Sequence, residues 1–300
     1  MTVSLRGKTA IVTGAAVGIG PAYAQALAAE GVNVAVCDIR EEILELPAQL
    51  EASGVKSVGW VADVSVPEDV RKVVDGTIEA LGGIDILISN AGKCWVSVAD
   101  DDLDKVIADY DGMIGTNLKG EYLMGRAVIA QLLEQGRGGE IVNVATDHMV
   151  TCGSPFEICP KLDTCPWADE PRPTGGGDVM DIYDASKWGL NGFLFGWAKA
   201  LRPHGIRVNG MCMGATDSWM IRDFFGFPQT PGKGADEEQQ KEVDTWMRKE
   251  DTAQVVMDLL KEGPDGRTAQ NINLCLGRPT KLEPPLPNVY ITEESLNVTS

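Results

Sequence analysis

Residues 9–20 read TAIVTGAAVGIG, and this stretch decides the fold of the chain. Residues 9–13 form a short apolar and β-branched run, which predicts a buried strand. Gly14, Gly18 and Gly20 follow in a G-x3-G-x-G pattern, typical of a turn that needs positive φ and a close backbone approach to a ligand. A helix opening at this point presents free N–H groups and its positive dipole end to a pyrophosphate. An ordinary strand–turn–helix with clustered glycines is the alternative.

Similar Val- and Ile-rich runs recur along the chain, and stretches with helical spacing separate them. The runs lie at residues 33–37, 57–61, 84–88, 140–145, 206–212 and 271–275, and the helical stretches include 19–30, 68–81 and 184–202. Such alternation implies right-handed crossovers between parallel strands. The sequence therefore predicts an α/β fold, a doubly wound parallel sheet of about seven strands in three layers. We expect one domain over residues 1–277 and a Pro-rich tail over 278–300.

The charge of the chain argues against two classes of partner. Lys and Arg number 26 against 44 Asp and Glu, which gives a formal net charge of −18. Such a surface repels nucleic acid backbones and anionic headgroups. No run approaches the ~18 apolar residues of a membrane span, and the first residues lack the features of a signal peptide. With 7 cysteines in 300 residues, these features predict a cytoplasmic protein without nucleic acid or membrane partners.

The second predicted strand ends at Asp38, which bears on the choice of dinucleotide. A carboxylate about 20 residues past the glycine turn accepts hydrogen bonds from ribose hydroxyls and repels a 2′-phosphate. The nearby base, Arg40, is expected to pair with Asp38, Glu41 or Glu42. These features favour NAD over NADP. As an alternative, Asp38 caps the helix that starts near Glu41.

Further motifs follow in a fixed order. They are Asp63-Val64 after the third predicted strand, Asn90-Ala91-Gly92 after the fourth, Asn117 in GTNLKG, Tyr183 and Lys187 in a Y-x3-K pattern, and Asn209 in IRVNGMC. With the glycine turn, this ordered set resembles the short-chain dehydrogenase/reductase family over roughly residues 5–277. The resemblance implies a Rossmann fold and an NAD-dependent enzyme for a small-molecule alcohol or ketone. It also implies a homodimer or homotetramer.

The resemblance assigns catalytic roles to four residues. Tyr183 would exchange the proton of the alcohol, and Lys187, one helical turn along, would lower the tyrosine pKa from its ordinary value of ~10. Asn117 would hold a water that connects Lys187 to solvent. Thr146 stands where the family usually has serine, and its hydroxyl would orient the substrate oxygen. The alternative is that Thr146 is inert and catalysis is weakened.

The resemblance also implies where the cofactor and the substrate bind. NAD contacts are expected from Gly14, Val17, Gly18, Ile19, Gly20, Asp38, Ile39, Asp63, Val64, Asn90, Ala91, Gly92, Tyr183, Lys187, Gly214, Thr216 and Ser218. Substrate contacts are expected from Trp95, His148, Trp188 and Trp219. For His148, a loop position facing solvent is the alternative.

Two long stretches depart from the strand–helix alternation. Residues 147–181 form a Pro- and Gly-rich insertion that is expected to roof the pocket or to alter subunit contacts. Its histidine and cysteines are His148, Cys152, Cys159 and Cys165, and their spacing does not favour a metal site. Residues 214–248 are expected to form a substrate lid, with an aromatic and apolar cluster at Trp219, Met220, Phe224, Phe225 and Phe227. That cluster favours an apolar, cyclic or aromatic substrate, unless it only packs the lid against its own domain.

The sequence thus predicts an NAD-dependent dehydrogenase or ketoreductase for a secondary alcohol and its ketone. Two alternatives stay open. One is an NAD-binding protein with little turnover and a sensor or partner role, which Thr146 and the insertion suggest. The other is an epimerase-type relative, in which redox chemistry balances internally.

Overall fold

The computed structural model describes residues 2–95, 97–98, 100–149 and 178–274. The domain boundaries at 277 and 278 remain predictions, because the final strand is described only to residue 274. Most of the predicted insertion and the whole predicted tail lie outside the described residues, together with Cys152, Cys159 and Cys165. Within the described residues, no helix is both long enough and apolar enough to cross a lipid bilayer.

A parallel sheet of seven strands forms the centre of the described structure. The strands are β1 (Thr9–Thr13), β2 (Asn33–Asp38), β3 (Ser57–Val61), β4 (Ile86–Ser89), β6 (Gly139–Thr146), β8 (Ile206–Met213) and β9 (Asn271–Leu274). Their spatial order is β3-β2-β1-β4-β6-β8-β9, and every neighbouring pair is parallel. The predicted doubly wound α/β fold is confirmed. The order reverses direction between β1 and β4, the place where such sheets open a ligand crevice.

Helices cover both faces of this sheet. They are α1 (Gly20–Ala29), α2 (Leu46–Glu51), α3 (Pro67–Leu81), α4 (Leu103–Met113), α5 (Glu121–Gln135), α6 (Asp181–Leu201), α7 (Trp219–Phe224), α8 (Glu237–Val243) and α9 (Lys249–Leu260). Buried apolar residues of α1, α2 and α9 pack on one face, and those of α3, α5 and α6 pack on the other. Since both faces are covered, the strands read as continuous apolar runs, which is why the sequence located them.

The boundaries differ from the predicted ones in a few places. The fourth strand begins at Ile86, two residues after the predicted start, because Gly82 and Gly83 take positive φ and Asp85 turns its carboxylate to the backbone N–H of Thr9. The helix that carries the Y-x3-K motif begins at Asp181, three residues before the predicted start. A two-stranded antiparallel ribbon, formed by β5 (Ser97–Val98) and β7 (Asp178–Val179), was not among the predicted elements.

The turn after β1 depends on close backbone contacts at Gly14. Its φ is +63°, and a Cβ built on it would lie 2.7 Å from the Cα of Ala91, the residue that follows the end of β4 by two positions. Gly20 is equally constrained, since its Cβ would lie 2.2 Å from the carbonyl oxygen of Gly14. The glycines therefore allow the first turn, the first helix and the β4 loop to meet at the carboxyl edge of the sheet.

We predict that Gly14→Ala destabilises the fold more than Gly7→Ala. Gly7 also has positive φ, at +80°, but a Cβ there would meet nothing within 4 Å. Both variants incur about 1–2 kcal/mol of left-handed backbone strain, and Gly14→Ala adds about 1–3 kcal/mol because backbone atoms must move apart. Urea denaturation of the two variants measures the difference. Equal losses in the free energy of unfolding would show that the contact with Ala91 is not what restricts this position.

Candidate active site

A cleft of about 940 Å³ lies at the carboxyl edge of the sheet. Most of the predicted cofactor and substrate residues line it, namely Gly14, Val17, Gly18, Ile19, Asp38, Ile39, Asp63, Val64, Asn90, Ala91, Gly92, Trp95, Thr146, His148, Tyr183, Lys187, Gly214, Thr216, Ser218 and Trp219. Three of the predicted residues lie outside this lining. Gly20 sits behind Gly14, Asn117 lies beneath the floor of the cleft, and Trp188 is an exposed residue of α6 whose indole N–H donates to the carbonyl of His148.

The first turn has the features of a pyrophosphate site. The backbone N–H groups of Val17, Gly18 and Ile19 donate to no other group in the described part of the chain, and they precede the first helix. Pro21 occupies the first turn of that helix, where a missing N–H costs nothing. A Cβ at Gly14 would collide with the backbone of Ala91, so only glycine lets the turn lie this close to the loop after β4. Free donors at a helix N-terminus with a close glycine backbone fit the phosphates of a dinucleotide.

Hydrogen bonds join the β1 turn to the β4 loop. The Thr13 hydroxyl accepts from the backbone N–H groups of Asn90 at 2.9 Å and Ala91 at 3.0 Å. In return, the Asn90 amide donates to the carbonyl oxygens of Thr13 and Gly14, both at 3.0 Å. The Asn90 side chain therefore holds the floor of the cleft together, in addition to its place in the lining.

The Asp38 carboxylate closes the other end of the turn. One oxygen accepts from the backbone N–H of Ala16 and the other from that of Arg40, both at 3.0 Å. The carboxylate stays in the cleft wall, where ribose hydroxyls would reach it. It does not cap the helical turn at Glu41–Glu45, which lacks a side-chain cap.

The expectation that Arg40 pairs with a nearby acid is wrong. Its guanidinium carbon instead lies 4.5 Å from the ring centroid of Trp219, at the start of α7. A guanidinium over an indole face gains cation–π attraction without giving up its hydration. The contact connects the end of the cleft beside Asp38 to the segment predicted to be the lid.

Tyr183 lies in the cleft wall with its pKa raised. Burial is the largest cause, and the nearby Asp147 and Asp184 carboxylates add to it, whereas the Thr146 hydroxyl beside the phenol lowers the pKa. The Thr146 hydroxyl itself donates to Asp147 at 3.3 Å. In the protein alone, Tyr183 is thus a neutral phenol, and the predicted fall in its pKa requires positive charge that arrives with a ligand.

Lys187 is buried beneath Tyr183 and bonded to the sheet. Its Nζ donates to the carbonyl oxygen of Val144 at 2.9 Å. Burial lowers the pKa of Lys187, and the nearby Glu121 carboxylate raises it. Glu121 is itself buried in α5, burial raises its pKa, and its Oε1 has no hydrogen-bond partner among the described residues. Sequence reasoning missed Glu121, because an acid at the start of a helix resembles ordinary dipole stabilisation.

Asn117 lies in a π-helical stretch, Ile114–Gly120, between α4 and α5. Its side-chain oxygen accepts from the backbone N–H of Lys93 at 2.7 Å, and its amide donates to the Lys93 carbonyl at 2.8 Å and to the Ser186 hydroxyl at 3.0 Å. The side chain therefore fixes the loop beside Gly92, rather than reaching into the cleft. π-helical turns often occur at functional sites.

An acid–histidine pair next to Tyr183 was not predicted. His148 Nδ1 lies 2.8 Å from Asp184 Oδ1, and the His148 ring meets the Tyr183 ring edge-on with centroids 6.1 Å apart. The Asp184 hydrogen bond raises the pKa of His148. Asp147 is also buried in the cleft wall, where burial raises its pKa. The sequence signals were the acids directly after Thr146 and Tyr183, within the two motifs.

The segment predicted to be a lid is organised around a buried arginine. Arg222 in α7 forms an ion pair with Asp217 and donates to the carbonyl oxygens of Pro228 at 2.6 Å and Lys233 at 2.8 Å. Its guanidinium carbon lies 5.5 Å from the centroid of the Trp246 ring. The predicted aromatic cluster divides: Phe225 and Phe227 stack on Trp246, while Trp219, Met220, Phe224 and Phe225 line the cleft. The aromatic residues of this segment therefore do both things that the sequence allowed: some pack the segment against its own domain, and others line the cleft.

The remaining predicted cofactor contacts are partly engaged with the protein. The Thr216 hydroxyl donates to the carbonyl of Gly214 at 3.0 Å, and the Ser218 hydroxyl caps α7 by accepting from Ile221. The Asp63 carboxylate accepts from the backbone and hydroxyl of Ser65. Among the described residues, no group of His, Cys, Asp and Glu is arranged to hold a metal ion.

We predict that Arg222→Met destabilises the protein and weakens substrate binding. Removing the buried guanidinium leaves Asp217 without its cation and costs about 3 kcal/mol in the free energy of unfolding. Arg248→Met is the matched control, because Arg248 is 74% exposed and its ion pair with Asp251 is worth under about 1 kcal/mol. Denaturation and KM measurements on both variants test this. Equal effects would show that Arg222 does not organise the segment.

A family model described as short chain dehydrogenase matches residues 8–152 and 174–226 of this chain. A short-chain dehydrogenase/reductase of Armillaria gallica is 30% identical over 277 residues, which cover 90% of this chain and 95% of that protein. An L-rhamnose 1-dehydrogenase (NAD(P)(+)) of a Sphingomonas species is 30% identical over 212 residues, covering 70% of this chain and 73% of that protein.

A solved structure has the same architecture. It is a short chain dehydrogenase from Burkholderia cenocepacia in complex with NADP, with a TM-score of 0.70 and 29% identity. The match covers 91% of this chain and 98% of that one. The described fold is thus similar to that of a dinucleotide-binding enzyme along almost its whole length.

Proposed function

The chain belongs to the short-chain dehydrogenase/reductase family, and on that premise we propose that it is an NAD-dependent dehydrogenase or ketoreductase acting on a secondary alcohol and its ketone. The main support for this proposal is that one cleft contains both a site suited to a dinucleotide and the side chains suited to proton transfer. The free N–H groups at Val17, Gly18 and Ile19 suit a dinucleotide, and Tyr183 and Lys187 lie in the same cleft.

The protein groups suit proton transfer at the alcohol. Bound NAD would supply the acceptor for the hydride that leaves the carbinol carbon. In the oxidative direction, Tyr183 takes the hydroxyl proton on its phenolate oxygen, and the Thr146 hydroxyl donates to the substrate oxygen. Lys187 stabilises the phenolate from its position on the Val144 carbonyl. Asn117 supports this arrangement by holding the loop at Lys93, next to the floor of the cleft.

The proposal of NAD over NADP depends on Asp38. Its carboxylate lies in the cleft wall at the end of β2, where it would accept hydrogen bonds from ribose hydroxyls and repel a 2′-phosphate. The guanidinium of Arg40, the nearest base, is occupied by the face of Trp219. The preference for NAD therefore rests on the Asp38 carboxylate, while Arg40 lines the same end of the cleft and is held against Trp219.

The apolar part of the cleft lining favours an apolar, cyclic or aromatic carbon skeleton. Trp95, Trp219, Met220, Phe224 and Phe225 present apolar surface to the cleft. Rings and apolar chains bury well against such a wall, with polar groups at the reacting end fixing orientation.

We also propose a cytoplasmic homodimer or homotetramer. Large apolar side chains are exposed on α4, α5 and α6, namely Leu103, Val106, Ile107, Tyr110, Tyr122, Leu133, Trp188 and Phe195. A surface of this kind on neighbouring helices favours burial against a second copy. The net charge of −18 disfavours nucleic acid and anionic membranes as partners, and the sparse cysteines suit a reducing compartment.

We predict that the wild-type protein reduces NAD with a panel of cyclic and aromatic secondary alcohols, and that Tyr183→Phe abolishes this activity. The variant should lower kcat by at least about 100-fold, because it removes the phenol oxygen that exchanges the alcohol proton. Absorbance at 340 nm measures the reaction, and NADH fluorescence measures cofactor binding. Tight NAD(H) binding without turnover would favour the sensor alternative, and product formation without net change in NADH would favour the epimerase alternative.

We predict that Asp38→Ser shifts the cofactor preference from NAD towards NADP by about tenfold or more, since the variant removes a charge that repels the 2′-phosphate. The matched control is Glu41→Gln, which removes one exposed negative charge three positions along the chain. The ratio of kcat/KM for the two cofactors is the measurement. If both variants shift the ratio equally, the discrimination comes from overall charge rather than from contact with the ribose.

A further inference from the structure

The His148–Asp184 pair is a polar element of the cleft that the proposed chemistry does not use. Nδ1 of His148 is held by Asp184 at 2.8 Å, and Nε2 has no hydrogen-bond partner among the described residues. His148 lines the cleft, whereas Asp184 does not. Asp184 therefore holds the imidazole from outside the cleft lining, and no described residue engages its second nitrogen.

The position of the imidazole relative to Tyr183 is also fixed. The two rings meet edge-on with centroids 6.1 Å apart, and the indole N–H of Trp188 bonds to the His148 carbonyl at 3.2 Å. The backbone N–H of His148 donates to the Thr146 hydroxyl at 3.4 Å. His148 is thus tied to both residues that would hold the reacting oxygen. A group next to that oxygen on the substrate would face the imidazole.

The charges around His148 indicate which kind of substrate group would bind to the imidazole. Among the described residues, the charged groups that act on the imidazole are Asp184 on α6 and Asp147, which precedes His148 in the sequence, and the neutral Tyr183 phenol lies on a third side. The Asp184 hydrogen bond raises the pKa of His148, which favours an imidazolium that donates from Nε2. Two carboxylates beside one imidazolium leave the surroundings negative, so an anionic substrate is disfavoured. A neutral oxygen acceptor, such as a hydroxyl, fits.

We propose that His148, positioned by Asp184, binds a second hydroxyl of the substrate on the carbon next to the reacting carbinol. The preferred substrates of the cleft are then vicinal diols and the corresponding α-hydroxyketones, with their apolar part against the lid. This inference rests on the proposed dehydrogenase activity. His148 is a specificity-determining residue, and Asp184 is a positioning residue that acts through it.

The test compares matched pairs of alcohols. Cyclohexanol with trans-1,2-cyclohexanediol, and 1-indanol with 1,2-indanediol, differ only by the second hydroxyl. The measured quantity is the ratio of kcat/KM for the diol to that for the monoalcohol. A substitution that disturbs Tyr183 or NAD binding changes both values equally, so such an effect cancels in the ratio. We expect a ratio of about ten or more for the wild type, from one hydrogen bond to a charged donor. We expect His148→Gln to lower that ratio about tenfold. His204→Gln, which replaces an exposed histidine in the Arg202–His204 turn, should leave it unchanged.

The pH dependence of the same ratio tests the role of Asp184. The wild-type ratio should fall as pH rises through the raised pKa of His148, because the neutral imidazole keeps its one proton on Nδ1, next to Asp184, and no longer donates from Nε2. Asp184→Asn keeps a hydrogen-bond acceptor but removes the charge, so the fall should occur at lower pH. A purely structural role would not move the pH of this fall, and Asp184→Asn keeps the test open if His148→Gln folds poorly.

The possible outcomes separate the two proposals. Turnover of both alcohols without a preference for the diol would overturn the role of His148 and leave the dehydrogenase standing. A diol preference that survives in His148→Gln, or that disappears equally in His204→Gln, would also overturn it. Absence of turnover of all alcohols by the wild type, despite NAD binding, would overturn the proposed activity and with it this inference.

Discussion

The cofactor half of the cleft depends on the contact between the ends of β1 and β4. Thr13 and Asn90 exchange hydrogen bonds through both side chains and backbones, and Gly14 and Ala91 come too close for a Cβ between them. A parallel sheet alone would leave these two loops free to separate at its switch point. Because they are joined, the free N–H groups of the first turn and the residues after β4 face one volume. The position of β6, and of Thr146 at its end, follows from its pairing with β4.

The electrostatics of the catalytic end favour neutral groups in the protein alone. Burial raises the pKa of Tyr183 and lowers that of Lys187, so both groups resist ionisation. Glu121 opposes this at Lys187, and the Thr146 hydroxyl opposes it at Tyr183. The site is thus poised so that a positive charge brought in by a ligand has a large effect on the phenol, since a low-dielectric surrounding strengthens each interaction.

The sequence predicted the strands and most residues of the cleft lining, because each depends on local information. A buried parallel strand requires a short apolar run, and the cofactor residues follow the ends of such runs. Contacts between distant segments carry no such signal. Asp184 and His148 are 36 positions apart, Arg40 stacks on Trp219 instead of pairing with an acid, and the Asn117 side chain bonds to the backbone of Lys93. These contacts depend on how the loops fold over the sheet, and neither periodicity nor a motif encodes them.

The stack of Arg40 on Trp219 joins two regions that a substrate and a cofactor would occupy separately. Arg40 follows the strand that ends at Asp38, whereas Trp219 begins α7 at the other side of the opening. A ligand that disturbs the guanidinium also disturbs the indole, and the converse holds with the same free energy, because coupling between two sites is reciprocal. A ligand bound beside Asp38 and a ligand that moves α7 would therefore be thermodynamically linked through this one pair of side chains. Entry and departure of two such ligands would then not be independent events.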